Sequence, residues 1–203
     1  MLRMLVVEGG HFVKALEDSK ISAVGYDTNK QLISLGNKML TLNNLESIAI
    51  HDINEYILNS DSQVLSLVGV LEHLMEPNKA FDAFNKSKSK YLYLQVPLFS
   101  FSALLESIHP GVFPRQLNAG HTHLYTQQSI NYLCSKWNLS IIGEWWFGTD
   151  MVDLFRHLQV LGDSESSKEI THALFGGVID DLQSSFDKKK ICSGVNMIIK
   201  KKV

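Results

Sequence analysis

VLSLVGVLEHLMEPNKAF, residues 64–81, decides the fold. Its first seven residues form a near-continuous apolar run, the pattern of a strand buried on both faces of a parallel sheet. The run ends on Glu72 and His73, two ionisable side chains at the tip of a buried strand. Pro77 then suits a first helical position. Ala80, Phe81 and Phe84 follow at helical spacing, so a helix with one buried face is expected after the strand.

The same alternation continues on both sides. Upstream, 4–7 reads as a strand, followed by Gly9-Gly10 and a helix carrying Phe12, Val13 and Leu16. Residues 21–26 form the next strand candidate, ending at Asp27. Thr28 with Gln31 three residues on reads as a capping box, opening a helix whose apolar side is Leu32, Ile33, Leu35 and Met39. A short strand at 47–50 ends in His51-Asp52. Downstream, 91–96 is a strand stopped by Pro97. Residues 98–126 show no clear period and read as an irregular insertion. Thr126 is placed to cap a helix in which Ile130, Leu133, Cys134 and Trp137 fall on one face. Then come a strand at 140–147, a helix at 151–161, a polar loop at 163–168, a helical stretch at 170–186 weakened by Gly176-Gly177, and a last strand at 191–200. Strand–helix alternation predicts an α/β fold: a mostly parallel sheet with helices on both faces. The expected organisation is one domain over 1–203, with the insertion at 98–126 and a helical segment at 150–186.

Ligands of such sheets bind beyond the carboxyl ends of the strands, at the switch point. Glu8, Asp27, Asp52 and Glu72 each follow a successive strand candidate, so parallel strands would set all four along one crevice edge. A glycine pair between strand and helix lets a ligand approach the backbone. An acid at the end of the second strand is placed to accept hydrogen bonds from ribose hydroxyls. Together they suit a nucleoside cofactor. No G-x-G-x-x-G loop supports a dinucleotide, which argues against a nicotinamide-dependent oxidoreductase, and no G-x-x-x-x-G-K-[ST] loop supports a triphosphatase.

Several stretches now converge on one family: GGHFVKAL, AVGYDTNKQLISLG, VLSLVGVLEHLMEPNKAF with its Leu-Glu-His-Leu…Pro sequel, YLYLQVPL, and GHTHLYTQQSINYLCSKWNLSII. In this order they resemble a class I S-adenosylmethionine-dependent methyltransferase, of the small-molecule group that contains the ubiquinone-biosynthesis type. The resemblance covers roughly residues 6–148. It implies a Rossmann-like, seven-stranded sheet with the last strand antiparallel, S-adenosyl-L-methionine as cofactor and a small-molecule methyl acceptor. It also implies that Glu8, Gly9 and Gly10 face the methionine part of the cofactor and that Asp27 binds the ribose with Thr28 nearby. By the same likeness, Asp52 and Ile53 lie beside the adenine, Val70, Leu71 and Glu72 border the cofactor, and His73 points to the substrate. LVVEGGHF is shorter than the family's first glycine-rich motif. A second reading therefore stands beside the first: a relative that keeps the fold as a binding or partner subunit without an intact cofactor loop.

His121 and His123, with Thr122 between them, would project to one side of an extended segment. No cysteine or clustered acid completes a metal-ligand set there, so no metal is assigned. A general base drawn from His73, His121 or His123 suits an O- or N-methyl transfer better, because histidine titrates near neutral pH. Trp145 and Phe147 would share one face of their strand and Trp146 the other.

Composition narrows the partners. The chain of 203 residues is 45% hydrophobic and 20% charged with net charge −2, which offers no electrostatic footprint for nucleic acid. The lysines at 188–190 and 200–202 read as solvated ends of the last strand. No stretch approaches the ~18 apolar residues of a membrane span, and the N-terminus lacks a signal pattern. Cys134 and Cys192 match no metal or redox spacing. A reduced, cytoplasmic protein is the expectation, and a homodimer is possible.

Overall fold

The computed structural model describes residues 2–5, 9–117 and 120–202. The elements in order are β1 (Leu2–Leu5), α1 (His11–Asp18), β2 (Ala23–Asp27), α2 (Lys30–Met39), β3 (Leu45–Ser47), α3 (Ile53–Leu58), β4 (Val64–Val68), α4 (Pro77–Lys86) and β5 (Tyr91–Pro97). There follow α5 (Phe101–Ile108), α6 (Gln127–Lys136), β6 (Leu139–Phe147), α7 (Asp150–Leu161), α8 (Glu165–Phe175), α9 (Ile179–Lys188) and β7 (Gly194–Lys201). Short 3-10 turns stand at Ile50–Asp52 and Leu71–His73. Two compact units result. One comprises Met1–Gln95, Gln127–Glu144 and Met197–Val203; the other comprises Val96–Thr126 and Trp145–Asn196.

The first unit is built on the sheet. β1 lies between β2 and β4, parallel to both, with Leu2 opposite Ala23 and Val64 and Leu5 opposite Tyr26 and Leu67. β3 pairs with β2 and β5 with β4, again parallel. Beyond β5 the order continues with β7 and then β6. β7 is reversed. Its last residue, Lys201, donates its N–H to Lys90 just before β5, and Ser193, just before β7, accepts from the Leu98 N–H just after β5. The sheet is therefore mixed. Because the chain winds outward from β1 to β3 and returns to β4, its direction reverses between β1 and β4. Right-handed crossovers then place α1 and α2 on one face and α3 and α4 on the other. Val13, Ala23, Ile33, Leu42 and Leu45 form the buried cluster on the first face. Ile53 and Ile57 of α3 are buried. Ala80, Phe81 and Phe84 of α4 are buried as their spacing predicts.

Several expectations are corrected. The cap of α2 is Asn29, not Thr28: its Oδ1 accepts from the N–H groups of Gln31 and Leu32. Asp27 shifts the start, since its Oδ1 accepts from the Asn29 N–H at 2.9 Å and turns the backbone one residue later. Of the apolar side expected for α2, only Ile33 is buried; Leu32, Leu35 and Met39 are exposed. The first strand occupies Leu2–Leu5, and Val6 and Val7 lie outside the described residues. The strand expected at 47–50 ends at Ser47 and gives way to the turn before α3.

The second unit holds α5, which the irregular reading of 98–126 missed. Phe101, Ala103, Leu104, Leu105 and Ile108 spread around this helix and blur its period. α7 packs against α5, α8 and α9. The polar loop expected at 163–168 is the start of α8, because the Ser164 Oγ accepts from the Ser167 N–H and caps it. The single helical stretch expected at 170–186 is two helices, broken at Gly176-Gly177. Trp146 is buried with the Lys190 ammonium 5.1 Å from its ring centre, while Trp145 is exposed and 5.6 Å from Phe147.

Lys201 is not a solvated strand end. Its ammonium donates to the Ser87 carbonyl at 2.6 Å, and burial lowers its pKa. Among the described residues, no helix is long and apolar enough to cross a membrane.

Candidate functional site

Parallel strands bring the residues after β1, β2, β3 and β4 to one edge of the first unit's sheet. Glu8 lies outside the described residues. Gly9 and Gly10 follow it with φ of +84° and +88°, the left-handed region where a side chain is strained. Gly10 is the N-cap of α1 and caps it with no side chain, so the first turn's N–H groups face outward along the helix dipole. Among the described residues, a Cβ on Gly9 would meet nothing within 4 Å, so this backbone borders open space there. A Cβ on Gly10 would lie 2.5 Å from Leu45 Cδ1. The loop is thus pressed against the core on one side and open on the other.

Asp27 closes β2 and is 5% exposed. One of its oxygens holds the Asn29 N–H, which fixes the carboxylate's orientation. Thr28 beside it is exposed. Asp52 ends the turn after β3, with its Oδ1 3.3 Å from His51 Nε2. Ile53 next to it is buried. Asp52 also lines a pocket of about 360 Å³ with Glu55, Tyr56 and Asn59. The Tyr56 ring stands 5.2 Å from that of Tyr26, next to Asp27. After β4 the chain turns on Gly69, at φ +61°, whose N–H donates to Gln95 Oε1 at 3.0 Å. That turn starts the 3-10 segment holding Leu71, Glu72 and His73, preceded by Val70. Val70, Leu71 and Glu72 are buried, and His73 is half-buried.

The other two candidate histidines belong to the second unit. His121 Nδ1 lies 2.8 Å from the Gln116 carbonyl oxygen. A carbonyl can only accept, so Nδ1 carries the hydrogen of this bond. The loop supplying that carbonyl is tied by Glu106, which is 2% exposed. Glu106 Oε2 accepts from the N–H groups of Arg115 and Gln116, and Oε1 from that of Leu117. His123 Nδ1 is 2.8 Å from Thr122 Oγ1, and its ring stacks on Tyr125 with centres 6.2 Å apart.

Three residues that sequence reasoning missed shape these sites. A Cβ on Gly36 would sit 2.2 Å from the Gly9 carbonyl oxygen, so α2 must carry glycine there for the Gly9 loop to seat. A glycine inside LISLGNKM, in mid-helix, was the available signal. Gly69 was hidden inside an apolar run. Glu106 had no signal, because its helix was unrecognised.

No family model matches the chain, and no curated protein matches it. Solved structures do. The chain is similar to a SAM-dependent methyltransferase from Archaeoglobus fulgidus: 14% identity, TM-score 0.61, over 98% of this chain and 85% of that one. It is similar to the magnesium protoporphyrin IX methyltransferase ChlM from Synechocystis, solved with bound SAH: 10% identity, TM-score 0.63, over 100% and 74%. The chain has the class I methyltransferase fold. The [4+2]-cyclase SpnF matches it as well, at 10% identity and TM-score 0.61 over 100% and 75%, so this methyltransferase fold also serves another chemistry.

Proposed function

We propose that the protein uses S-adenosyl-L-methionine to methylate a small molecule. The observation that carries this reading is the join of β1 and β2 to their helices. Gly9 and Gly10 lie in left-handed backbone, Gly9 borders open space among the described residues, and a buried, oriented Asp27 ends the adjacent strand. The residues present fit the cofactor, since a Cβ at Gly9 would project into that open space. The cofactor, when bound, supplies a sulfonium methyl for in-line displacement.

In this reading Asp27 accepts hydrogen bonds from the ribose hydroxyls, with Thr28 at its side, and Glu8, Gly9 and Gly10 border the methionine part. Asp52 and Ile53 flank the adenine. Val70, Leu71 and Glu72 border the cofactor at the sheet's switch point. His73 serves the acceptor side. One of His73, His121 or His123 takes the acceptor's proton, where the acceptor must lose one. Holding the two reactants aligned is the protein's main contribution, a term of ~7–11 kcal/mol. The sheet is read as the family's seven strands, supported by the strand order and the reversed β7.

The test is binding and turnover together. S-adenosylmethionine should bind the wild type and fail to bind Asp27→Ala, and a screen of small hydroxyl and amine acceptors should release S-adenosylhomocysteine. The second reading, a binding or partner subunit, is favoured by the short LVVEGGHF loop. It predicts a folded chain that takes no S-adenosylmethionine.

A further inference from the structure

The second unit carries an arrangement that methyl transfer does not use. Arg115 and Arg156 converge on one carboxylate, Asp153, through different oxygens. Arg115 bonds Oδ2, and Arg156 Nη1 lies 3.7 Å from Oδ1, beyond hydrogen-bond reach. Arg156 lies over the Phe113 ring, its guanidinium carbon 4.1 Å from the ring centre. Stacking occupies the face of the guanidinium and leaves the N–H edge available. None of the five donors of Arg156 makes a hydrogen bond among the described residues, and the side chain is 45% exposed. Arg115 Nε is buried with no hydrogen-bond partner among the described residues.

Among the described residues, Asp153 is the acid that meets these guanidinium groups, and its Oδ1 reaches Arg156 only as an ion pair at 3.7 Å; the other neighbouring acids are engaged elsewhere. Asp150 is engaged by the N–H and hydroxyl of Ser102 and by the N–H of Ser193. Glu106 is engaged by three backbone N–H groups. Asp153 Oδ2 also takes the Ser102 hydroxyl at 2.6 Å. Phe113 holds its ring under Arg156 from left-handed backbone, φ +51°, a conformation that costs an aromatic residue on the order of 1 kcal/mol or more. A planar donor fork is thus held in place before any ligand arrives, so little side-chain entropy remains to be lost on binding.

We infer that Arg156, stacked on Phe113 and backed by Arg115, forms a receptor for the carboxylate of a small planar organic acid. The guanidinium edge matches a carboxylate in bidentate geometry. The outer face of the stack suits an aromatic body. Asp153 repels an anion that approaches too deeply, which confines the ligand to the outer edge. This inference stands independently of the methyl-transfer reading.

The test is calorimetric titration of the full chain with benzoate, with neutral benzamide and with phenyl phosphate. Benzoate should bind saturably and benzamide should not. Arg156→Gln should weaken benzoate about tenfold or more, and Arg156→Lys, which keeps the charge and loses the fork, several-fold. Circular dichroism of each variant confirms that it is folded. Absence of saturation by benzoate up to about 10 mM, or unchanged affinity in a folded Arg156→Gln, overturns the inference. Tighter binding of phenyl phosphate than of benzoate overturns the carboxylate assignment and gives the site to phosphate esters.

Discussion

At the scale of single residues, two positions bear most of the geometry. Gly36 has its Cα almost against the Gly9 carbonyl, where a methyl group would stand 2.2 Å from oxygen. Alanine is the better helix former by up to ~1 kcal/mol, so propensity alone predicts that Gly36→Ala stabilises. Overpacking against backbone costs roughly 1–3 kcal/mol and should win. Urea unfolding of Gly36→Ala should therefore show a net loss of stability, together with weaker S-adenosylmethionine binding because the Gly9 loop is displaced. Glu106 is the counterpart in the second unit. Its carboxylate accepts three N–H groups, whereas the amide of Glu106→Gln has one oxygen and presents a donor to the rest. A loss of about 1.5–3 kcal/mol is expected, since these are hydrogen bonds to a charged group. Loosening of 115–117 should also broaden the nitrogen-15 NMR signal of His121 Nδ1, which a purely global destabilisation would leave sharp in the folded population.

Elements show where local chemistry overrides pattern. Asn29→Ala should cost about 1 kcal/mol by removing the acceptor for two helix N–H groups, while Thr28→Ala should change stability by less than about 0.5 kcal/mol. Chemical denaturation of the pair separates the two possible caps. The same region shows how far the sequence could be read. The apolar runs of β4 and β5 and the buried face of α4 were legible, because burial on both sides leaves no polar residues to confuse the period. Asp27, Asp52 and Glu72 were placed on one edge by that same parallel logic. The cap of α2 was misjudged because Asp27 bends the chain by a side-chain hydrogen bond that periodicity does not encode. α5 was lost because apolar residues surround it, with Leu104 and Ile108 exposed. Gly36 was passed over because its constraint comes from a loop distant in sequence, and Glu106 because its partners lie nine to eleven residues on in an irregular segment.

For the molecule as a whole, the two cysteines set a limit at high pH. Burial raises Cys134 from 9.0 to about 11, with Lys202 pulling weakly the other way. Burial also raises Cys192 to about 11, assisted by the negative charge of Asp187. The unfolded chain loses these protons near pH 9 while the folded chain retains them. Stability is therefore fully present below pH 9 and declines as pH rises toward 11, by about 2–3 kcal/mol for each thiol. Urea midpoints from pH 8 to 11 should fall more steeply for the wild type than for Cys134→Ala. The central claim concerns the ligand. Thermal unfolding with and without S-adenosylmethionine, or its demethylated product, tests it most directly. At a ligand concentration 100 times Kd, binding should add about 2.7 kcal/mol, a rise of roughly 5–10 °C for a chain of this length, and Asp27→Ala should abolish it. An unchanged unfolding temperature at millimolar ligand, in a chain shown to be folded, would contradict the methyltransferase reading and leave the binding subunit in its place.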